Sequence, residues 1–268
     1  MEYINKYGKI VFRDTPWNYK SLNGKSLEIE SIESKKENTI KLISEFCAQK
    51  SKESYLLISS RINPAQLDLK KVYYLCGFIT VEHILEVSSF GLDFKKIEHT
   101  SNKFQVEVLD YTNDNIFEIE DISKGEFNFG KFYEDPFIEP SKATARSRFW
   151  IGDIINQNAT IKVLKKKNNI VGFMAYKVKN KRADLMLGGI KEKYRHLAYG
   201  FWANILLDLK DLNQVNTLIS SSNVDIINLY SYFGFRFENA QFGLHKHLGQ
   251  YDKQKQTTYF NYFSGLQS

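Results

Sequence analysis

Cysteine, proline and long apolar runs are all scarce in this chain. Its 268 residues hold two cysteines, Cys47 and Cys76, too few for a disulfide framework at this length. Neither has a second Cys or a His at a metal-ligand spacing, so two reduced, packed thiols and no metal are expected. Four prolines and fifteen glycines exclude collagen-like, mucin-like and Pro-rich linker chains. Nowhere do roughly eighteen apolar residues run together, so no membrane-spanning helix is expected. The N-terminus, MEYINKYGKIVFRD, mixes charges into its apolar positions and has no signal-like core, which points to the cytoplasm.

What is present is the balance of a soluble globular chain, with 43% hydrophobic and 25% charged residues. The length suits one large domain or two modest ones. A net charge of +6 admits an anionic partner. Because the lysines are spread rather than gathered, the partner expected is a small polyanion such as a nucleotide or coenzyme. Neither nucleic acid nor membrane is expected.

Apolar periodicity predicts an α/β chain with a mixed sheet. In the first half it predicts strands at 26–32, 55–59 and 104–108, and helices at 37–49 and 67–75, the second closing on Gly77. The acidic, weakly periodic stretch 111–130 reads as a domain boundary, with domains 1–125 and 126–268. In the second half, strands at 160–164 and 170–178 flank a Lys/Asn turn, and Asn180-Lys181 turns into a third strand at 183–190. A helix carrying Phe201, Ile205, Leu206, Leu209 and Leu212 follows. After it come a strand at 217–220, a helix at 225–233 ending on Gly234-Phe235, and a last strand at 241–248. No element is assigned to the tail from Gly249.

One pattern occurs twice. Leu57-Ile58-Ser59-Ser60 returns as Leu218-Ile219-Ser220-Ser221, and each is followed by Tyr-x-x-x-Gly-Phe, at Tyr73 to Phe78 and Tyr230 to Phe235. The two halves are therefore expected to share an ancestral fold or a local topology, with chance similarity of two amphipathic segments as the alternative. The halves are not equivalent, because only the second half carries an Arg-x-x-Ala-x-Gly loop.

That loop is Arg195-His196-Leu197-Ala198-Tyr199-Gly200, between a strand and a helix. Small residues at 198 and 200 permit a tight turn and close approach of a ligand. The first amides of the next helix lack internal partners and lie at its positive end, where a pyrophosphate is a natural guest. A plain strand-to-helix turn would look the same. The segment that follows separates the two readings: Asn223-Val224-Asp225-Ile226-Ile227-Asn228-Leu229-Tyr230, then Ser231-Tyr232-Phe233-Gly234-Phe235.

Together these two motifs resemble those of the GCN5-related N-acetyltransferase (GNAT) superfamily. Its loop is Gln/Arg-x-x-Gly-x-Gly/Ala and its later segment Asn-x-x-Ala-x-x-Leu-Tyr-x-x-x-Gly-Phe. Ala198 and Ile226 are departures, and Ala198 would crowd the pyrophosphate slightly. The resemblance covers roughly residues 150 to 248. It implies a tandem architecture, with a truncated GNAT-like first half and a complete second one. It also implies acetyl-CoA as cosubstrate, entering where strands 184–190 and 217–221 splay. Pantetheine would pair near Leu187, Gly188 and Ile190, and the pyrophosphate would lie on Arg195, His196, Leu197, Ala198, Tyr199 and Gly200. Asn223, Asn228 and Tyr230 would complete the cofactor site.

The implied reaction is direct transfer from the thioester to an amine. Tyr230 would be the general acid and Asn223 would orient the cofactor or a water. Packing under the Gly-Phe turn is the structural alternative for Tyr230, and a helix N-cap that for Asn223. Glu82, Asp184 and His245 are candidates for the general base. His196 is expected to face solvent. His245 and His247 alternate along the last strand, so that one of them faces inward as a structural histidine.

The two-part plan resembles the bacterial dTDP-fucosamine acetyltransferase group, which acetylates amino-deoxysugars on dTDP in lipopolysaccharide and O-antigen biosynthesis. Phe132-Tyr133-Glu134-Asp135-Pro136-Phe137-Ile138 resembles that group's Phe-His-x-Asp-Pro stretch, and Leu244-His245-Lys246-His247-Leu248 its final strand. A nucleotide-linked amino sugar is thus the acceptor this resemblance implies, with a homodimer admitted. The alternatives are another amine, on a peptide, polyamine or antibiotic, or a non-catalytic acyl-CoA-binding protein.

Overall fold

A computed structural model describes residues 1–112, 116–157 and 159–248. The first elements are β1 (Glu2–Asn5), β2 (Gly8–Asp14), α1 (Tyr19–Leu22), β3 (Lys25–Ser34), α2 (Thr39–Lys52), β4 (Tyr55–Ile62) and α3 (Leu67–Leu75). Next come β5 (Ile79–Ser89), α4 (Phe94–Phe104), β6 (Glu107–Asp110), α5 (Ile116–Glu126) and α6 (Pro140–Asn156). After them follow β7 (Thr160–Lys166), β8 (Asn169–Lys179), β9 (Arg182–Ile190), α7 (Ala198–Asp208), β10 (Gln214–Ser220), α8 (Val224–Tyr232) and β11 (Arg236–His247). Among the described residues, no helix is long and apolar enough to cross a membrane.

These elements form two compact units. Of the described residues, unit 1 takes Met1–Glu82, Glu134–Lys142 and 241–248, and unit 2 takes the others. The sheet of unit 1 runs β1-β2-β3-β4-β11, all neighbours antiparallel except β3 and β4. Helix α2 covers it because Leu42, Ile43, Phe46 and Cys47 recur at helical spacing and fall on one buried stripe. They pack on Ile10, Leu27 and Ile58 of the strands. Burial pushes the Cys47 thiol up to about 12, so it is unreactive, and both cysteines are free and buried as expected.

The sheet of unit 2 runs β6-β7-β8-β9-β10-β5, and only β9 and β10 are parallel. Its two cores lie on opposite faces. One gathers Ile97 of α4, Phe201 to Leu206 of α7, and Leu229, Tyr230 and Phe233 of α8. The other gathers Ile119 and Ile122 of α5 with Ile151 and Ile154 of α6. The hairpin turns fall where expected. Lys167-Asn168 and Asn180-Lys181 all have positive φ, the geometry that matches the twist of two-residue hairpins.

Three expectations are corrected. The strand expected at 104–108 is the end of α4 followed by β6; Asp93 caps α4, and Ile97 and Thr100 hold it to the core. The stretch 111–130 contains α5, whose buried stripe is only Ile119, Ile122 and Ser123, too narrow to register as periodicity. Helix α7 stops at Asp208, and Leu209 and Leu212 pack from the turns beyond it. The tail from Gly249 lies outside the described residues.

Candidate active site

Unit 2 opens its sheet at one place. Strands β9 and β10 pair only over Gln214↔Arg182, Val215↔Ala183 and Asn216↔Asp184. Past that rung β10 continues on β5, and β9 continues to Ile190 on β8. A β-bulge lies at the parting. Leu185 pairs with Tyr176 and Leu187 with Ala175, so Met186 is one residue too many. An extra residue bends a strand and sharpens its twist, and here it carries β9 away from β10. Leu187, Gly188 and Ile190 therefore lie on a strand edge that no strand covers among the described residues.

The closed end of this gap is built from side chains. Thr217, one residue beyond the last rung, donates its hydroxyl to Leu185 O at 3.2 Å. Tyr230 is 2% exposed and accepts a hydrogen bond from Trp202 Nε1 at 3.4 Å. Burial pushes its phenol up to about 12, against the opposing effect of its hydrogen bonds with Trp202 and Thr217. Its ring also packs on Phe235, 4.8 Å between centroids, beneath the Gly-Phe turn. Both sequence-level roles for Tyr230 are thus compatible with one position. Trp202 and Thr217 are not among the site residues expected from sequence, and a tryptophan inside a mostly apolar helix gives no signal beyond core.

The echo between the halves is geometric. Phe78 N–H donates to Tyr73 O and Phe235 N–H to Tyr230 O, both at 3.0 Å. Gly77 and Gly234 have φ of 80° and 81°, a backbone region that glycine occupies without strain. Tyr73 shares a hydrogen bond with Ser60 at 2.8 Å and packs on Phe78, again 4.8 Å between centroids. In unit 1, however, β3 and β4 stay paired from Lys25↔Tyr55 to Ile29↔Ser60. Ser59 and Ser60 donate across that seam to Leu27 O and Ile29 O. The corresponding gap is closed.

The loop Arg195 to Gly200 forms the end of a 3₁₀ turn, Glu192–Leu197, and the start of α7. No side chain caps α7. Arg195 and His196 are exposed, Leu197, Ala198 and Tyr199 half-buried, and Gly200 buried. The reason for Gly200 differs from the one expected: a Cβ there would lie 2.4 Å from Phe104 Cβ, so its smallness serves the packing of α4 on α7. Arg195 donates to Glu126 Oε2 at 3.0 Å, and Glu192 N–H to Glu126 Oε1 at 2.8 Å. A carboxylate thus already sits on the loop, which nothing in the spacing foretold.

Asn223 caps α8, its Oδ1 accepting from Ile226 N–H at 3.2 Å. Asn228 is exposed on α8. Of the base candidates, Asp184 stands on the last rung before the gap, held by Asn216 Nδ2 at 3.2 Å and Arg182 Nε at 3.3 Å. Glu82 and His245 belong to unit 1. The expectation that one of His245 and His247 faces inward is corrected. Strand side chains alternate with a period of two, so residues two apart share a face. Both rings reach Asp135 Oδ2, His245 through Nδ1 at 2.6 Å and His247 through Nε2 at 2.8 Å.

By sequence, no family profile and no curated protein matches the chain. By structure it is similar to a conserved protein of unknown function from Staphylococcus epidermidis ATCC 12228 (13% identity, TM-score 0.65, 92% of this chain and 93% of that one). It is also similar to a tandem GNAT protein from the clavulanic acid biosynthesis pathway (9%, TM-score 0.55, 91% and 79%). A GCN5-related N-acetyltransferase from Kribbella flavida is a third (10%, TM-score 0.54, 93% and 90%). At such identities the likeness is one of fold, and the fold of this chain is the tandem GNAT architecture.

Proposed function

We propose that the chain is an acetyl-CoA-dependent N-acetyltransferase with its site in unit 2, acting on the amine of a nucleotide-linked amino-deoxysugar of the dTDP type. The observation that carries the reading is the gap between β9 and β10 with a proton-bearing phenol at its closed end. A free strand edge accepts an extended chain of amides, as pantetheine is, through ladder hydrogen bonds. Arg195 and the positive end of α7 suit a diphosphate; the Ala198 N–H already donates to Arg195 O, so the ligand would be held mainly by the arginine and the dipole and must share or displace the Glu126 carboxylate.

Acetyl-CoA supplies an activated thioester when bound. Tyr230 would deliver its proton to the departing sulfur; Trp202 donates to the phenol oxygen, and the phenol's own hydrogen, shared with the Thr217 hydroxyl, is the one that would move. Asp184 is the base this geometry favours for the amine's proton. The acceptor class is supported by the two stretches that resemble the sugar-nucleotide enzymes, which meet in one cluster through Asp135, His245 and His247.

The test is release of CoA thiol from acetyl-CoA with dTDP- and UDP-linked amino-deoxysugars, spermidine and a short peptide as acceptors. Tyr230→Phe should lose roughly a hundred-fold in turnover with acetyl-CoA affinity nearly kept. Turnover on spermidine or peptide alone would move the acceptor class. Unaltered turnover in Tyr230→Phe would remove the general acid, and absence of acetyl-CoA binding would overturn the reading.

A further inference from the structure

Among the described residues, unit 1 shows no gap of its own but holds a cluster that takes no part in the proposed transfer step. His245 and His247 stand two residues apart on β11, on one face of its pairing with β4. Asp135 reaches them from the segment Glu134–Lys142. The two imidazoles approach with different ring nitrogens, and both aim at the same carboxylate oxygen, Asp135 Oδ2. The other oxygen, Oδ1, accepts the Phe137 N–H at 2.8 Å. A network that served hydrogen bonding alone could spread two donors over two oxygens. Here a backbone amide orients the carboxylate, and three ligand atoms converge within 4.8 Å of one another. This is the arrangement of metal ligands with an outer hydrogen bond fixing one of them.

We propose that Asp135, His245 and His247 form a binding site for a first-row divalent cation, Zn²⁺ foremost. Two imidazoles and one carboxylate are borderline donors that suit zinc, and three protein ligands leave one position for water. Zinc bonds of about 2.0–2.2 Å place tetrahedral ligands roughly 3.3 Å apart, so the two N···O separations of 2.6 and 2.8 Å would lengthen by roughly 0.5–0.7 Å on binding.

Asp135 and His245 have no exposed side-chain surface, while His247 keeps 16% and provides the way in. The Phe137 ring, 5.6 Å from that of His247, shields the same side. Burial alone would raise the Asp135 carboxyl, but its hydrogen bonds with both histidines outweigh this and hold it well below the usual carboxylate range. The carboxylate therefore stays charged and accepts from both rings; a cation would replace those two N–H protons, each imidazole moving its proton to the other ring nitrogen or releasing it to solvent before offering the freed lone pair.

The role assigned is structural, a cross-link between residues more than a hundred positions apart in the chain. The experiment uses full-length protein dialysed against EDTA and titrated with ZnCl₂ by calorimetry. One Zn²⁺ per chain is expected, weakened at least about a hundred-fold in His247→Ala and in Asp135→Asn, in line with the loss of a ligand. His99→Ala, an exposed histidine elsewhere, should bind as wild type, and His247→Cys should restore binding. Stoichiometry well below one, or equal affinity in wild type and His247→Ala, would overturn the site and leave a metal-free hydrogen-bonded cluster. Should the alanine variant fail to fold, X-ray absorption of zinc-loaded wild type decides. Two imidazoles and a carboxylate as the protein ligands, with water completing the shell, support the site; any other protein ligand set overturns it.

Discussion

Tyr230 keeps its proton because it is buried, and this has a consequence that pH can test. An acid that must be protonated works below its folded pKa and fails above it. With the phenol pushed up to about 12, turnover should show no alkaline limb between pH 8 and 10 from this group. A clear loss of turnover centred in that range and abolished by Tyr230→Phe would contradict the placement. Gly200 makes a second prediction at this scale. Alanine is the better helix former by about 1 kcal/mol, yet its Cβ would meet Phe104 Cβ at 2.4 Å. Both atoms are tied to backbone, so overpacking should win, and Gly200→Ala should destabilise by about 1–2 kcal/mol in urea unfolding. The glycine was legible in the sequence; its partner, nearly a hundred residues earlier, was not.

Elements with their own punctuation were read nearly to the residue. The hairpin turns at Lys167-Asn168 and Asn180-Lys181, the cap at Asn223 and the glycine ends at Gly77 and Gly234 are all local devices. Asn223→Ala removes one cap hydrogen bond and should cost about 1 kcal/mol, or about 2–4 °C of melting temperature, measured by calorimetry. The elements that went unread lack such devices or expose their pattern weakly. Helix α5 buries three residues in a narrow stripe, and the end of α4 reads as a strand because Phe104 and Val106 alternate with polar neighbours. The bulge at Met186 belongs to the same class. It is a relation between β9 and β8, and no residue of β9 alone announces it.

Across the whole chain, two similar strand-helix-strand units differ in one respect that decides their use. The β3–β4 seam of unit 1 is closed by five paired rungs and two serine hydroxyls, whereas the β9–β10 seam of unit 2 stops after three rungs. Calorimetric titration with acetyl-CoA should therefore give one site per chain, and two sites would show that unit 1 opens as well. The sequence by itself determined the α/β class, the repeat, the loop and the Asn/Tyr segment. These rest on periodicity and on residues close together in the chain, where local backbone sterics and capping act. Only the tertiary structure decided which seam opens, which carboxylate stands at the gap, and that Asp135 meets His245 and His247. Those outcomes depend on strand register and on which distant segments each sheet takes up, and register is settled by packing rather than by any local preference.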